Sequence, residues 1–143
     1  MTIKPETWMK RAKGEIGVHE IPGKKDNPRI KEYMETTTYD LPENYIDEVP
    51  WCSGFLNWTF EEEGIQGTGS AWSQSWRKWG RGLGNPAYGC VVVFNWGNSK
   101  GHVGFCYDWD EDGIFVLGGN QSDEVNITRF GYSRVVAYRM PEE

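Results

Sequence analysis

Residues 89–109, GCVVVFNWGNSKGHVGFCYDW, carry two apolar runs on either side of a short polar break. CVVVFNW (90–96) and HVGFCYDW (102–109) are rich in valine and aromatics, the composition of strands, and NSKG between them is turn chemistry. The pair reads as an antiparallel hairpin. Three further runs follow, GIFVLGG (113–119), EVNITRF (124–130) and RVVAYRM (134–140), with DEDG as the next turn. The second half of the chain is therefore expected to be an antiparallel meander of about five strands.

Upstream the period changes to that of helices. PETWMKRAKGEI (5–16) has Pro5 in its first turn and Trp8, Ala12 and Ile16 at i, i+4, i+8, an amphipathic stripe. RIKEYMET after Pro28 sets Ile30, Tyr33 and Met34 at core spacing, and the polar, acidic run TTYDLPENYIDEV reads as a loop ending at Pro50. From Trp51 to Glu63 a third helix is predicted, with Cys52, Phe55, Leu56 and Thr59 on one face. Three acidic residues in its last turn oppose the macrodipole and predict fraying there. GTGSAWSQSWRKWG (67–80) reads as a loop leading into a short helix carrying Trp72, Trp76 and Trp79. Helices followed by strands predict an α+β fold, one domain over 1–143, with helices packed on one side of the sheet.

The 143 residues hold 21 acidic and 15 basic side chains, with no basic face of the kind nucleic-acid binding needs. No apolar run reaches the ~18–20 residues of a membrane span, and no hydrophobic signal core opens the chain. The expectation is a protein made in the cytoplasm without a signal peptide, not inserted in membranes, and monomeric. Three cysteines, Cys52, Cys90 and Cys106, argue against a disulfide framework. Their spacing with His19 and His102 lacks the short paired intervals of a zinc site, and no glycine run has the form of a phosphate loop. No metal or organic cofactor is expected.

Of the three thiols, Cys52 alone falls in the first turn of a predicted helix, where unpaired N–H groups and the dipole favour the anion. That position predicts a lowered pKa and an activated nucleophile. A catalytic thiol needs a base within reach. His102, opening a strand just after a turn, is better placed for this than His19, which lies in GVHEIPG between helices. A third group would orient the imidazole. Pairing across the DEDG hairpin brings His102 near Gly118, Gly119 or Asn120, so the Asn120 amide can accept from the ring; Asp108 and Asp123 are competitors. The two glycines would let the backbone approach closely. Trp51, Trp72 and Trp76 are candidates for the walls of a substrate groove, with core packing as the alternative reading of each.

The blocks PWCSGFLNW, GHVGFCYDW and VLGGNQSDEVNI together resemble the cell-wall cysteine peptidases of the NlpC and CHAP superfamily, including a subgroup of small phage-associated or secreted-effector hydrolases. The likeness extends to WMKRAKGEIGVHEIPGKKDNPRIKEYM and so covers nearly the whole chain. It implies a papain-like core with Cys52 as nucleophile, His102 as base and then acid, and Asn120 in the third position, with its neighbour Gln121 as the second candidate for that position and a substrate contact. The acidic residue that CHAP relatives often carry just before the Asn is absent, since Leu117, Gly118 and Gly119 stand there. The implied substrate is peptidoglycan, cut at an amide in or next to the stem peptide, by a phage lysin or an antibacterial effector. Action in the periplasm or wall would follow delivery by a holin or a secretion machine, and an effector would imply an immunity protein. A non-catalytic wall-binding module and an acyltransferase on the same fold are the alternatives.

Overall fold

A computed structural model describes residues 3–21, 27–38, 50–98 and 100–142. The break expected at 21–28 and the loop expected at 37–49 fall largely outside them. The helices are α1 (Pro5–Lys13), α2 (Pro28–Met34) and α3 (Cys52–Glu62), followed by a 3₁₀ helix, Ser73–Lys78. The strands are β1 (Arg81–Leu83), β2 (Val91–Gly97), β3 (Lys100–Trp109), β4 (Ile114–Gln121), β5 (Glu124–Phe130) and β6 (Val135–Met140). All pair antiparallel in one sheet of order β1-β6-β2-β3-β4-β5. The α+β class is as expected, but the sheet is not a simple meander. Strand β6 crosses to pair with β2, and the short β1 adds an edge beyond it.

Alternation along β2 and β3 builds two cores. Val91, Val93, Val103 and Phe105 turn to the helices and pack with Trp8, Phe55, Phe60 and Trp76. Cys90, Val92, Phe94 and Cys106 turn to the opposite face, where they join Ile114 and Val116. The helix-side core is heavily aromatic, with Phe60 packed in tilted and edge-on contacts among Trp8, Trp76, Trp79 and Phe105 at ring separations of 4.9–5.8 Å.

Helix α1 buries Trp8, Met9 and Ala12. Ile16, expected to extend that stripe, lies past the helix end and is exposed. The acidic end of α3 does not hang free either. Arg11 of α1 pairs with Glu62 at 3.8 Å and with Glu63, so a cation opposes the charge that was expected to fray it. The 3₁₀ helix holds only Trp76 of the three tryptophans; Trp72 and Trp79 are its extended cap residues, and the Trp79 ring meets that of Trp76 at 4.9 Å. Trp76 points into the core, while Trp72 and Trp79 are half-buried.

Candidate active site

Cys52 is the first residue of α3, as the sequence predicts. The cap residue Trp51 offers no side-chain hydrogen bond, which leaves the first-turn amides available. The Cys52 sulfur takes backbone hydrogen bonds from Val103, from Ser53 and from its own N–H. The amide of Val103 belongs to the residue that follows His102, so the thiol rests against β3 beside the histidine's own peptide. Here the start of the central helix and the start of the second long strand meet.

His102 pairs with Phe94 across the β2–β3 ladder, and its ring lies 6.1 Å from Phe94 and 5.6 Å from Phe130. Its Nε2 is 2.9 Å from Oε1 of Gln121. The Gln121 amide cannot be turned the other way. Its Nε2 donates to the carbonyls of Val116 and Asn126 and to Asn126 Oδ1, at 2.8–3.1 Å, so its oxygen must face the ring. Asn126 closes the network by donating back to the Gln121 carbonyl. An oxygen at Nε2 fixes the proton there and leaves Nδ1 as the basic nitrogen.

The sequence reading expected Asn120 in this role; the structure gives the contact to Gln121. The cause is a break in the β4–β5 register between Gly118 and Gln121, with Asn120 in the left-handed region at φ 59°. Strict alternation from Gly118 would have turned Asn120 to His102. The irregularity inserts one residue and delivers Gln121 instead. The expected need for Gly118 and Gly119 is met. A Cβ on Gly118 would sit 2.6 Å from Gln121 Oε1, and one on Gly119 would sit 2.7 Å from the Trp51 ring. Asp108 and Asp123, the competing orienters, are exposed. His19 is exposed and bridges Glu124.

One expectation about this region is corrected. The thiol was expected to be activated, but Cys52 is 2% exposed, and burial pushes it up to about 11 against the three amides that pull it down. Burial likewise holds His102, 7% exposed, below the ordinary histidine range, with the Gln121 hydrogen bond opposing. Burial thus favours the neutral form of both the thiol and the imidazole.

The tryptophan groove is corrected as well. Trp51 is buried, stacks on Tyr33 at 5.9 Å and donates to Glu20 at 2.7 Å. Trp76 is buried and donates to Ser53 Oγ at 2.8 Å, and Ser53 in turn donates to the Ser70 carbonyl at 2.6 Å. Both rings hold the first turn of α3 in place and offer no face to a ligand; only Trp72 is half-buried. The exposed aromatic near His102 is Trp96, 43% exposed, which stacks on Phe94 at 5.5 Å and so ends a row of rings running from the imidazole to the surface. Its position at the end of β2, two residues beyond the partner of His102, was the available signal. A separate hollow lined by Glu61, Gly64, Ile65 and Gly67 lies at the other end of α3 from Cys52.

Among the described residues no three His, Cys, Asp or Glu side chains cluster to hold a metal, and no helix is long and apolar enough to cross a membrane. The CHAP domain model matches residues 44–120, a span that includes Cys52, His102 and Asn120. Among solved structures, the P60 domain of an antigen from M. avium subspecies paratuberculosis superposes with a TM-score of 0.57 at 15% identity, covering 97% of this chain and 96% of that one. A similar-to-lipoprotein NLP/P60 family protein of Staphylococcus aureus superposes with a TM-score of 0.52 at 16% identity, covering 100% of this chain and 44% of the other. No curated protein matches the sequence.

Proposed function

Because the chain belongs to the CHAP domain family, whose members and NlpC/P60 relatives are generally peptidoglycan hydrolases of the cysteine peptidase kind, we propose that it cleaves an amide in or next to the peptidoglycan stem peptide, with Cys52 as nucleophile. One observation carries this reading. The Cys52 thiol is hydrogen-bonded by the amide of Val103, the residue after His102, and the His102 Nε2 is held by Gln121.

The chemistry starts from neutral partners. Nδ1 of His102 accepts the thiol proton as the sulfur attacks the amide carbonyl, giving a tetrahedral oxyanion and an imidazolium. The amides of Cys52 and Ser53 at the helix start are donors of the kind that stabilise such an oxyanion. Gln121 steadies the imidazolium through Nε2 without bearing charge. The imidazolium then protonates the departing amine, leaving a thioester. Water, deprotonated by Nδ1, releases the acid and restores the thiol. No step calls for a metal. The reading includes action at the wall as a lysin or an effector, reached through a holin or a secretion machine, with an immunity protein in the effector case. Trp96 is the ring on which a wall fragment would stack beside His102.

The burial of Cys52 and His102 favours a second reading, a wall-binding module that performs no chemistry. Digesting purified peptidoglycan with the protein and weighing the soluble fragments separates the two. The hydrolase reading expects new fragments whose masses name one amide, abolished in Cys52→Ala, and about a 3–10-fold higher KM with kcat retained in Trp96→Ala. Binding to the wall without fragment release would favour the module, and equal release by Cys52→Ala would end the thiol mechanism.

A further inference from the structure

Two buried nucleophilic groups have no part in this mechanism. Cys90 and Cys106 face one another across the β2–β3 ladder, one step beyond the Val91–Phe105 pair. The Cys106 amide donates to the Cys90 carbonyl at 2.8 Å, and the Gly89 amide donates to the Cys106 carbonyl at 2.7 Å. Two residues thus oppose one, a bulge whose first position is Gly89 at φ 81°. The Cys90 amide closes a turn to the Ala87 carbonyl at 3.0 Å, which anchors the bulge. Both side chains point to the sheet face away from the helices, packed with Val92, Phe94 and Val116. There the Cys106 thiol hydrogen-bonds to the Cys90 sulfur, which holds Cys90 low and drives Cys106 up.

The bulge keeps the two cysteines on one sheet face, joined by the 2.8 Å bond from the Cys106 amide to the Cys90 carbonyl and with their thiols within hydrogen-bond reach. Sulfurs in such contact are the starting geometry that a disulfide needs. Competition is excluded by topology. Cys52 belongs to the helix-side core, and the sheet lies between it and the pair.

We propose that Cys90 and Cys106 form a cross-strand dithiol that closes to a disulfide when the chain meets a small-molecule disulfide, leaving Cys52 as the one free thiol. The Cys90 thiolate attacks one sulfur of the small disulfide and expels a thiolate. The Cys106 thiolate then attacks the mixed disulfide at the Cys90 sulfur and expels the second. The two electrons and both thiol protons end on two molecules of the reduced small thiol. The proposal is independent of the peptidoglycan reading.

The test is refolding of the reduced chain in a glutathione redox buffer, since the folded pair is shielded. Intact-mass and peptide analysis after alkylation should show the loss of two hydrogens, a 90–106 bridge and a single alkylated thiol at Cys52. Tm should rise by several degrees over the reduced protein, and Cys106→Ala should show neither the bridge nor the rise. Three alkylated thiols after refolding, a bridge that includes Cys52, a lasting glutathione adduct or the same Tm rise in Cys106→Ala would each overturn it.

Discussion

Cys52 and the Cys90–Cys106 pair are buried to the same extent, yet their surroundings prepare them for different chemistry. All three thiols lose water and none is exposed. Around Cys52 the replacements for water are peptide N–H groups, two from a helix start and one from β3. Around Cys90 the replacement is another thiol. Backbone amides can stabilise a sulfur anion and an oxyanion alike, whereas a second sulfur offers a bond partner. Burial alone does not separate a nucleophile from a structural cysteine; the donors left inside do.

The largest contrast should appear in alkylation against pH. With Cys52 held up to about 11, its thiolate fraction and its iodoacetamide rate should climb about tenfold per pH unit, roughly 10³-fold between pH 7 and 10. Cys90 and Cys106 should stay slow relative to Cys52, because both are fully enclosed by the neighbours that seal them on the far face of the sheet. A Cys52 rate already level at neutral pH would show a resting ion pair and erase the contrast.

A smaller effect is expected at the imidazole that distinguishes the Cys52 site from the sulfur pair. Gln121→Ala should lower kcat by about 10–100-fold, as loss of an orienting partner does, while Asn120→Ala should change it by less than about threefold. The reverse order would return the orienting role to Asn120. Activity should hold down to the ordinary histidine range and fall only below it. The sign follows from burial: His102 is lowered, so its neutral, basic form persists at pH values where a solvated histidine is protonated. The same shift makes the fold lose stability on acidification through that window, since the unfolded chain binds the proton more readily.

Much of this site was readable from residue order. The switch from helical to strand period, the start of α3 at Cys52 and the entry of His102 into β3 follow from local pattern, and the Gly118–Gly119 pair marked where backbone had to approach a side chain. What escaped is non-local. The three residues of β1 are too few to show a period, and the crossing of β6 to β2 depends on which edge of the sheet is free. The choice of Gln121 over Asn120 turns on one inserted residue, which no alternation pattern reveals. Trp51 and Trp76 misled because aromatic density near a nucleophile looks alike whether the rings line a groove or brace a helix. Their indole N–H bonds to Glu20 and Ser53 decide for bracing.

The most direct measurement is capture of the covalent intermediate. The protein is mixed with a soluble stem-peptide fragment, quenched in acid within the first turnover and weighed intact, with the adduct mapped by peptide analysis. The account predicts an acyl group on Cys52 that is lost in Cys52→Ala and released by hydroxylamine. Cleavage of the fragment with no adduct on Cys52, or with an adduct on Cys90 or Cys106, would contradict it.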